Sequence, residues 1–541
     1  MNRTPLLPVQ ATRARLLQTL DRVLKPLEAP LEKLFGSDYN PMYQSGTLAV
    51  FGLLVMIVTG VVLFLFYSIE DPYNAVRAIH YDVPGGLLLR SLHRISADLA
   101  IVAALVHAAR IALQGRVYGP RALAWISGLF LVALFLLCGW TGYVMLWDAH
   151  GLVYARAALQ TFDLFPLFSE PLERMVSGIV PAGNSFFFFF LFLHVALPLG
   201  AAAALWLHVS RLARPKLLPS RRFMVATVVL LVIAAWLRPA PMGEMADPLA
   251  LSTYFEFDLW YGWWVVLVHK LGPLNALLVS VTITVILVAM PWILRPRPVA
   301  TTGDKLPTII TSYVNEKTCT GCSTCYEDCP YEAISMVRRA EPSPLSEIVA
   351  RVDPSLCVGC GICAGSCAPM GVGPVGRGGR EQISAIRHYL MTHTPPPQTT
   401  AIFACQSGAG ADPVVAAQPG VQVFDVGCAG SVHTSVMEFA LRGGFSSVLI
   451  AACHHRDAPF RDGHRLLAER IYAGREAELM PRVDRQRIGL SERARTDVAG
   501  LLHDLEQLRQ AAAGRGASAA ESVAELEIET ECEPVPAQEV L

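Results

Sequence analysis

FFFFFLFLHVALPLGAAAALWLHVSRL (residues 186–212) is long and apolar enough to cross a bilayer as one helix, yet it carries two histidines, His194 and His208. An ionisable side chain in the hydrocarbon is expensive, about 3 kcal/mol for a charged group on insertion scales, and is usually there for function. The two lie fourteen residues apart. That is close to four helical turns, so the second imidazole returns to nearly the same face about 21 Å further along. Two ligands on one face can serve two stacked cofactors.

A second apolar stretch answers the first. LLLRSLHRISADLAIVAALVHAARIAL (87–113) holds His93 and His107, again fourteen apart. Two such helices side by side can hold two metal centres, each with one imidazole per helix. Haem b with both axial positions filled by neutral imidazole fits this pattern. Histidines merely hydrogen-bonded inside a bundle would explain one pair more readily than two at equal spacing. Glycines repeat the interval: Gly46 and Gly60 in one apolar stretch, Gly128 and Gly142 in another, each pair fourteen apart. Glycine costs about 1 kcal/mol relative to alanine in a helix. Close approach of a flat macrocycle would give it a reason, and plain helix packing is the alternative.

The chain has 541 residues, 53% hydrophobic, with a formal net charge of −1. That is too long for one domain and too apolar for an ordinary soluble protein. No basic stripe interleaved with aromatics points to nucleic acid. Apolar segments at 46–67, 89–113, 121–147, 186–212, 222–238 and 271–295 predict six spans, and sequence beyond residue 300 is soluble in character. Arginines and lysines before the first span, between the second and third, and between the fourth and fifth predict that both termini are cytoplasmic. The expected setting is a bacterial or archaeal cytoplasmic membrane. No cleavable signal precedes the first span, and residues 1–39 read as a cytoplasmic amphipathic segment.

With these residues in view, the membrane part resembles the cytochrome b of bc-type quinol-oxidising complexes. The resemblance implies a haem-binding four-helix bundle over residues 40–215 and two further helices over 216–298. It implies that His93 and His194 ligate an outer haem b, and His107 and His208 a cytoplasmic-side haem b. Arg90 and Arg110 match positions that pair with haem propionates. GYVMLW (142–147) resembles the motif that closes the third helix beside the outer quinol site. MADPLALSTYFEFDLWYGWW (245–264) resembles the start of the family's C-terminal half, where a Pro-Glu-Trp-Tyr motif supplies a glutamate. Here Leu259 stands at the glutamate's place. That departure leaves Asp258 and Glu256, with Tyr261, as the candidates for an outer quinone site.

After the membrane part come CTGCSTCYEDCP (319–330) and CVGCGICAGSC (357–367). Two runs of C-x₂-C-x₂-C-x₃-C are the signature of a two-cluster bacterial ferredoxin, in which each fourth cysteine crosses to the other cluster. This predicts an α+β dicluster domain over 308–372. One [4Fe–4S] cluster would sit on Cys319, Cys322, Cys325 and Cys367, the other on Cys357, Cys360, Cys363 and Cys329. Eight of the thirteen cysteines in two such runs are a metal pattern in a reducing compartment, not a disulfide framework.

Three apolar runs then end at cysteine: TTAIFAC at Cys405, VQVFDVGC at Cys428 and SVLIAAC at Cys453. With helical patterns between them they predict a parallel sheet over 398–510, with all three thiols at the carboxyl ends of strands, where such sheets bind cofactors. VGCAGSVHTSVMEFALRGGFSSVLIAACHHRD (426–457) resembles the delta subunit of methyl-viologen-reducing hydrogenase. That resemblance implies a [2Fe–2S] module serving heterodisulfide-reductase-type flavoproteins. The family carries more cysteines than this chain. Either His454, His455 or Asp457 supplies a fourth ligand, or the domain survives as a docking surface. Residues 511–541, rich in Ala and Glu, read as a disordered tail in which Cys532 is incidental.

Together these features predict a polytopic α-helical membrane protein with an α+β ferredoxin domain and a C-terminal α/β domain. The expected activity is that of an oxidoreductase subunit passing electrons between the quinone pool and a cytoplasmic iron–sulfur or flavin partner, as a dimer or in a larger complex. Two alternatives stand beside it: the core of a bc-type quinol oxidase with a Rieske protein or cytochrome c as partner, and a membrane redox sensor or scaffold.

Overall fold

The computed structural model describes residues 3–5, 11–165, 169–178, 182–210, 216–249, 258–295, 300–301, 304–305, 311–460 and 462–528, with backbone alone at 4–5, 11–22, 300–301, 304–305 and 514–528. The chain divides into two compact units, residues 15–298, and residues 1–14 with 299–541.

The first unit is helical. Helix α1 (Ala11–Tyr39) carries Pro26 and Pro30 and breaks its helical geometry at Gly36. Helices α2 (Ser45–Phe64), α3 (Pro72–Tyr81), α4 (Gly86–Leu113), α5 (Ala122–Leu146), α6 (Ala149–Phe162) and α7 (Asn184–Val209) follow, then α8 (Arg221–Leu237), α9 (Trp263–Leu271) and α10 (Pro273–Ile293). Between α9 and α10 stands Gly272 at φ +79, a left-handed conformation that interrupts the last apolar helix. Among the described residues five helices are long and apolar enough to cross a membrane: Ser45–Phe64, Gly86–Leu113, Gly119–Leu146, Asn184–Val209 and Pro273–Ile293. The remaining segment of the expected six, 222–238, forms α8, whose 17 residues are at the short end of what spans.

The α8 helix packs on α4. Phe223 near its start joins Leu48, Ala49 and Ala103. Just beyond its end the Ala240 N–H donates to Ser91 Oγ at 2.9 Å. On the side where α8 ends, Asp148 caps α6 by accepting from the Gly151 N–H and also accepts from the Gly243 N–H.

The second unit opens with strand β1 (Arg3–Pro5), then β2 (Ala300–Thr301) and β3 (Asp304–Lys305), an antiparallel pair. The ferredoxin segment pairs β4 (Ser312–Val314) with β7 (Val372–Pro374) and β5 (Ile334–Arg338) with β6 (Ile348–Val352), both antiparallel. Short helices α11 (Thr324–Glu327) and α12 (Ile362–Ser366) lie within the two cysteine runs, each carrying the third cysteine and ending just before the fourth. The C-terminal segment contains α13 (Gly379–Thr392), β8 (Thr400–Cys405), α14 (Pro413–Ala416), β9 (Val421–Val426), α15 (Thr434–Arg442), β10 (Ser447–Cys453), α16 (Gly463–Tyr472), β11 (Ile488–Arg493) and α17 (Val498–Ile528).

Its sheet has the order β1-β9-β8-β10-β11, every neighbouring pair parallel. Both faces are covered, which is why the strands read as continuous apolar runs. Phe403, Phe424, Val448 and Ile450 face one core with Val436, Met437 and Leu467. Ile402, Val423, Leu449 and Ala451 face the other with Val415, Leu501 and Leu505.

Two features depart from expectation. Residues 3–5, read as part of an amphipathic segment, form the edge strand of this sheet, paired to Val423–Asp425. The backbone of α17 stays helical to Ile528, past residue 510 where a disordered tail was expected. Alanine and glutamate are strong helix formers, so a composition that cannot build a core can still extend a helix anchored at its start by Leu501, Leu505 and Leu508. Residues 529–541, with Cys532, lie outside the described residues.

The edge strand is held by a guanidinium fork. Arg3 Nε donates to both oxygens of Asp425 at 2.9 Å, and its Nη1 donates to the Ala411 carbonyl at 3.0 Å. Arg3→Ala is expected to lower the stability of the sheet domain by about 1 kcal/mol, since the pair is bidentate yet partly solvated. The measurement is a thermal melt with limited proteolysis; an unchanged melt and cleavage pattern would show that β1 adds nothing.

Candidate functional site

The histidines lie on α4 and α7, and each of these helices is backed by a glycine-bearing partner. Helix α4 packs against α2, and α7 against α5. The α2–α4 crossing is close: a Cβ on Gly52 would stand 3.1 Å from Ala100 Cβ. The four repeating glycines each abut one imidazole. A Cβ on Gly46 would stand 3.0 Å from His107 Cε1, on Gly60 3.1 Å from His93, on Gly128 3.1 Å from His208, and on Gly142 3.2 Å from His194. Each glycine thus gives room to the ring of the histidine opposite.

A hydroxyl residue precedes every one of these glycines: Ser45, Thr59, Ser127 and Thr141. Three of them hold a ring nitrogen. Thr59 Oγ1 lies 3.0 Å from His93 Nδ1, Ser127 Oγ 3.1 Å from His208 Nδ1, and Thr141 Oγ1 2.9 Å from His194 Nδ1. Each hydroxyl already donates its single proton to a backbone carbonyl: Thr59 to Val55, Ser127 to Ala124 and Thr141 to Cys138. Each must therefore accept from the imidazole, so Nδ1 carries the hydrogen and Nε2 keeps its lone pair. This is the outer hydrogen bond that metal-binding histidines need to fix tautomer and orientation. The ring centroids of His93 and His194 are 6.2 Å apart. That gap suits one metal ion on two bonds of about 2 Å. His107 and His208 form the second facing pair, within electrostatic range of one another. These residues fit haem b.

The arginines expected at propionates have other partners. Arg90 Nη1 meets His80 Nδ1 at 2.8 Å and donates to the Ala240 carbonyl at 2.9 Å. Arg110 Nε donates to Glu28 Oε1 at 2.8 Å, an ion pair buried on both sides, with the guanidinium 4.7 Å from the Tyr43 ring centroid. Glu28 sits in α1, far from α4 in sequence, and nothing local in the chain signals it.

At the outer quinone candidates, Asp258 is fully engaged. Its Oδ1 accepts from the N–H groups of Trp260 and Tyr261 at 2.8 and 2.9 Å, while Oδ2 accepts from Tyr143 Oη at 2.5 Å and from Arg94. Arg94 also donates to Asp98 at 2.5 Å. Tyr261 Oη donates to the Ala97 carbonyl at 3.0 Å, and a Cβ on Gly139 would collide with its ring. The expectation missed Arg94, although it directly follows His93. Glu256 lies outside the described residues.

In the ferredoxin segment Cys319, Cys322, Cys325 and Cys367 line one cavity, with Val314, Met336 and Gly371. Cys329 lies within electrostatic range of Cys357, and Cys363 of Cys357 and Cys360. Burial pushes the Cys325 thiol up to about 12, so thiolates here call for a cation to replace the protons. Backbone donors are aimed at sulfur: Gly371 N–H to Cys367 at 3.1 Å, Ala333 N–H to Cys329 at 3.3 Å and Ser312 N–H to Cys357 at 3.4 Å. Such bonds tune cluster potential, and these residues fit two four-thiolate clusters.

At the carboxyl ends of the three central strands, Cys405, Cys428 and Cys453 are buried together. A hydrogen bond from Cys453 holds the Cys405 thiol down at about 7, against burial. Of the candidate fourth ligands, His455 Nδ1 is bound to Glu492 at 2.7 Å, and Asp457 lies within electrostatic range of Cys453. Three thiols fall one short of the four ligands a [2Fe–2S] centre takes.

Gly60→Val is expected to push the His93 ring aside and to remove one bis-imidazole haem signal. Thr59→Val, which keeps the shape and loses the acceptor, is expected to weaken haem retention about 10–100-fold. Visible spectra and haem content of the purified protein read both; two intact haem signals in Gly60→Val would overturn the assignment.

Three family models match the chain. The model for cytochrome b/b6/petB matches residues 31–215, that for a 4Fe-4S dicluster domain residues 318–371, and that for the methyl-viologen-reducing hydrogenase delta subunit residues 403–513. Among solved structures, a chain described as hyperthermophilic respiratory Complex III is 19% identical, with a TM-score of 0.38, covering 46% of this chain and 75% of that one. In order along the polypeptide stand segments similar to cytochrome b, to a dicluster ferredoxin and to the hydrogenase delta subunit, a set of matches that supports a membrane electron-transfer subunit.

Proposed function

We propose that the chain carries electrons between the membrane quinone pool and a cytoplasmic iron–sulfur or flavin oxidoreductase. Two haems b would be held by His93 with His194 and by His107 with His208. Two [4Fe–4S] clusters would be held by Cys319, Cys322, Cys325 and Cys367, and by Cys357, Cys360, Cys363 and Cys329. The observation that carries this reading is the set of tautomer-fixed imidazoles on facing helices, in one polypeptide with eight cysteines in dicluster spacing. Haem and clusters, when bound, supply one-electron chemistry. The chain's own residues do the rest. Thr59, Ser127 and Thr141 orient the imidazoles, glycines give those rings room, and the N–H groups of Gly371, Ala333 and Ser312 stabilise charge on sulfur.

Direct quinol oxidation at the outer face, as in a bc-type complex with a Rieske partner, needs a proton acceptor there. Asp258 is a poor one, because both its oxygens are already occupied, by Arg94, Tyr143 and the N–H groups of Trp260 and Tyr261. The fused cytoplasmic segments then form the main route, with a heterodisulfide-reductase-like flavoprotein as the partner class that the delta-subunit resemblance suggests.

Six crossings suit this reading. Strand β1 shares a sheet with β9, so residues 3–5 and 421–426 lie on one side of the membrane, and an even number of crossings separates them. Helix α8, which packs beside α4, is the candidate for the sixth. Positive charge before the first span puts both termini in the cytoplasm. A reporter fused after residue 243 is expected to be active only when exported, and one fused after residue 541 only when cytoplasmic; the reverse pattern would sink the topology.

The central test is a redox titration of the purified protein, with haem b followed by visible spectra and clusters by EPR, with and without quinol. Two haem components reduced by quinol are expected, one of them lost in His93→Ala while the other stays. Asp258→Asn is expected to leave quinol-driven haem reduction in place. Two bis-imidazole haems in His93→Ala would refute the pairing, and loss of quinol-driven reduction in Asp258→Asn would restore an outer-site base.

A further inference from the structure

The buried cation Arg470 lies between the ferredoxin segment and the sheet domain. It belongs to α16, its side chain is 0% exposed, and its partner Asp328 is 0% exposed as well. Nη2 donates to Asp328 Oδ2 at 2.8 Å and to Ser366 Oγ at 2.6 Å, while Nη1 donates to the Gly430 carbonyl at 3.3 Å. Asp328 immediately precedes Cys329, and Ser366 immediately precedes Cys367. One guanidinium therefore grips the residues next to both crossing cysteines, one from each proposed cluster.

The surroundings are shaped for it. A Cβ on Gly365 would stand 2.6 Å from Arg470 Nη1 and 2.3 Å from the Gly430 oxygen, so glycine is needed where the guanidinium passes. Ser366 Oγ donates to Asp328 Oδ2 at 2.6 Å, which ties the two cysteine runs together under the cation. A second arginine, Arg475, donates to Asp328 Oδ1 at 2.5 Å, so two positive charges meet one carboxylate. Arg470 Nε has no hydrogen-bond partner among the described residues. Burying a cation is costly, and a hydrophobic side chain of similar size would pack as well. Its presence here calls for a role beyond packing.

We propose that Arg470 is a positioning residue by which the C-terminal domain sets the reduction potential of the ferredoxin clusters. Its charge favours the reduced, more negative state of a cluster beside it, and its fork fixes the backbone that delivers Cys329 and Cys367. This rests on the reading that the eight cysteines hold two clusters. It gives the sheet domain a function in electron transfer whether or not Cys405, Cys428 and Cys453 bind a centre of their own.

The test is an EPR-monitored redox titration of the full-length protein, wild type beside Arg470→Met, Arg470→Lys and Asp328→Asn, with iron and sulfide content measured on each sample. Arg475 and Ser366 remain on Asp328 when Arg470 is replaced, so Arg470→Met is expected to keep its iron. The midpoint of at least one cluster is expected to fall in Arg470→Met, to rise in Asp328→Asn, and to move least in Arg470→Lys, which keeps the charge and loses the fork. Loosened packing would move the Met and Asn variants in the same direction, so a shared direction overturns the proposal. Unchanged midpoints in iron-replete Arg470→Met overturn it too, and if Met will not fold, a midpoint in Asp328→Asn that does not rise decides against it. Wild-type protein without iron in the ferredoxin segment would remove the cluster reading and this proposal together; iron-replete wild type with unmoved variants removes the proposal alone.

Discussion

A hydrogen bond to one imidazole nitrogen fixes the tautomer that leaves the other nitrogen free for a metal, and three of the four candidate ligands in the membrane half of this protein are held in that way. Threonine and serine hydroxyls on α2 and α5 spend their protons on carbonyls of their own helices, which leaves oxygen lone pairs as the acceptors for His93, His194 and His208. The residue after each hydroxyl is glycine, so the ring can lie against the backbone that anchors it. Helix pairing follows from this geometry. α2 must pack on α4 and α5 on α7, or the hydroxyls and rings do not meet.

The soluble half obeys a related rule with different chemistry. Burial makes the thiols of Cys325, Cys329, Cys363 and Cys367 harder to ionise, and thiols of this kind make sense as ligands when a cation replaces their protons. Backbone N–H groups pointed at sulfur, and the Arg470 guanidinium beside both cysteine runs, supply the positive partial and full charge that such groups require. The sheet domain contributes to this environment from sequence about a hundred residues downstream of the cysteine runs.

Departures from family patterns have physical explanations in the fold. Leu259 stands where a glutamate is expected, and the neighbouring Asp258 is drawn into an ion pair with Arg94 and a hydrogen bond with Tyr143. An arginine after His93 and an aspartate before Leu259 satisfy one another across the first and last parts of the bundle. The carboxylate beside the expected position thus has both oxygens engaged by neighbouring groups.

The chain by itself determined the spans, the fourteen-residue repeat of histidine and glycine, the two cysteine runs, and the strands that end at Cys405, Cys428 and Cys453. These are periodic or closely spaced signals, and helix and strand geometry translate them directly. Tertiary structure decided what depends on distant pairing. Strand β1 joins β9 across more than four hundred residues, Glu28 finds Arg110, Arg94 finds Asp258, and Arg470 finds Asp328. Each is a short polar contact between segments whose local sequence carries no sign of the partner. A lone arginine or glutamate is equally at home on a solvated surface, and burial beside an opposite charge is settled only when the chain has folded.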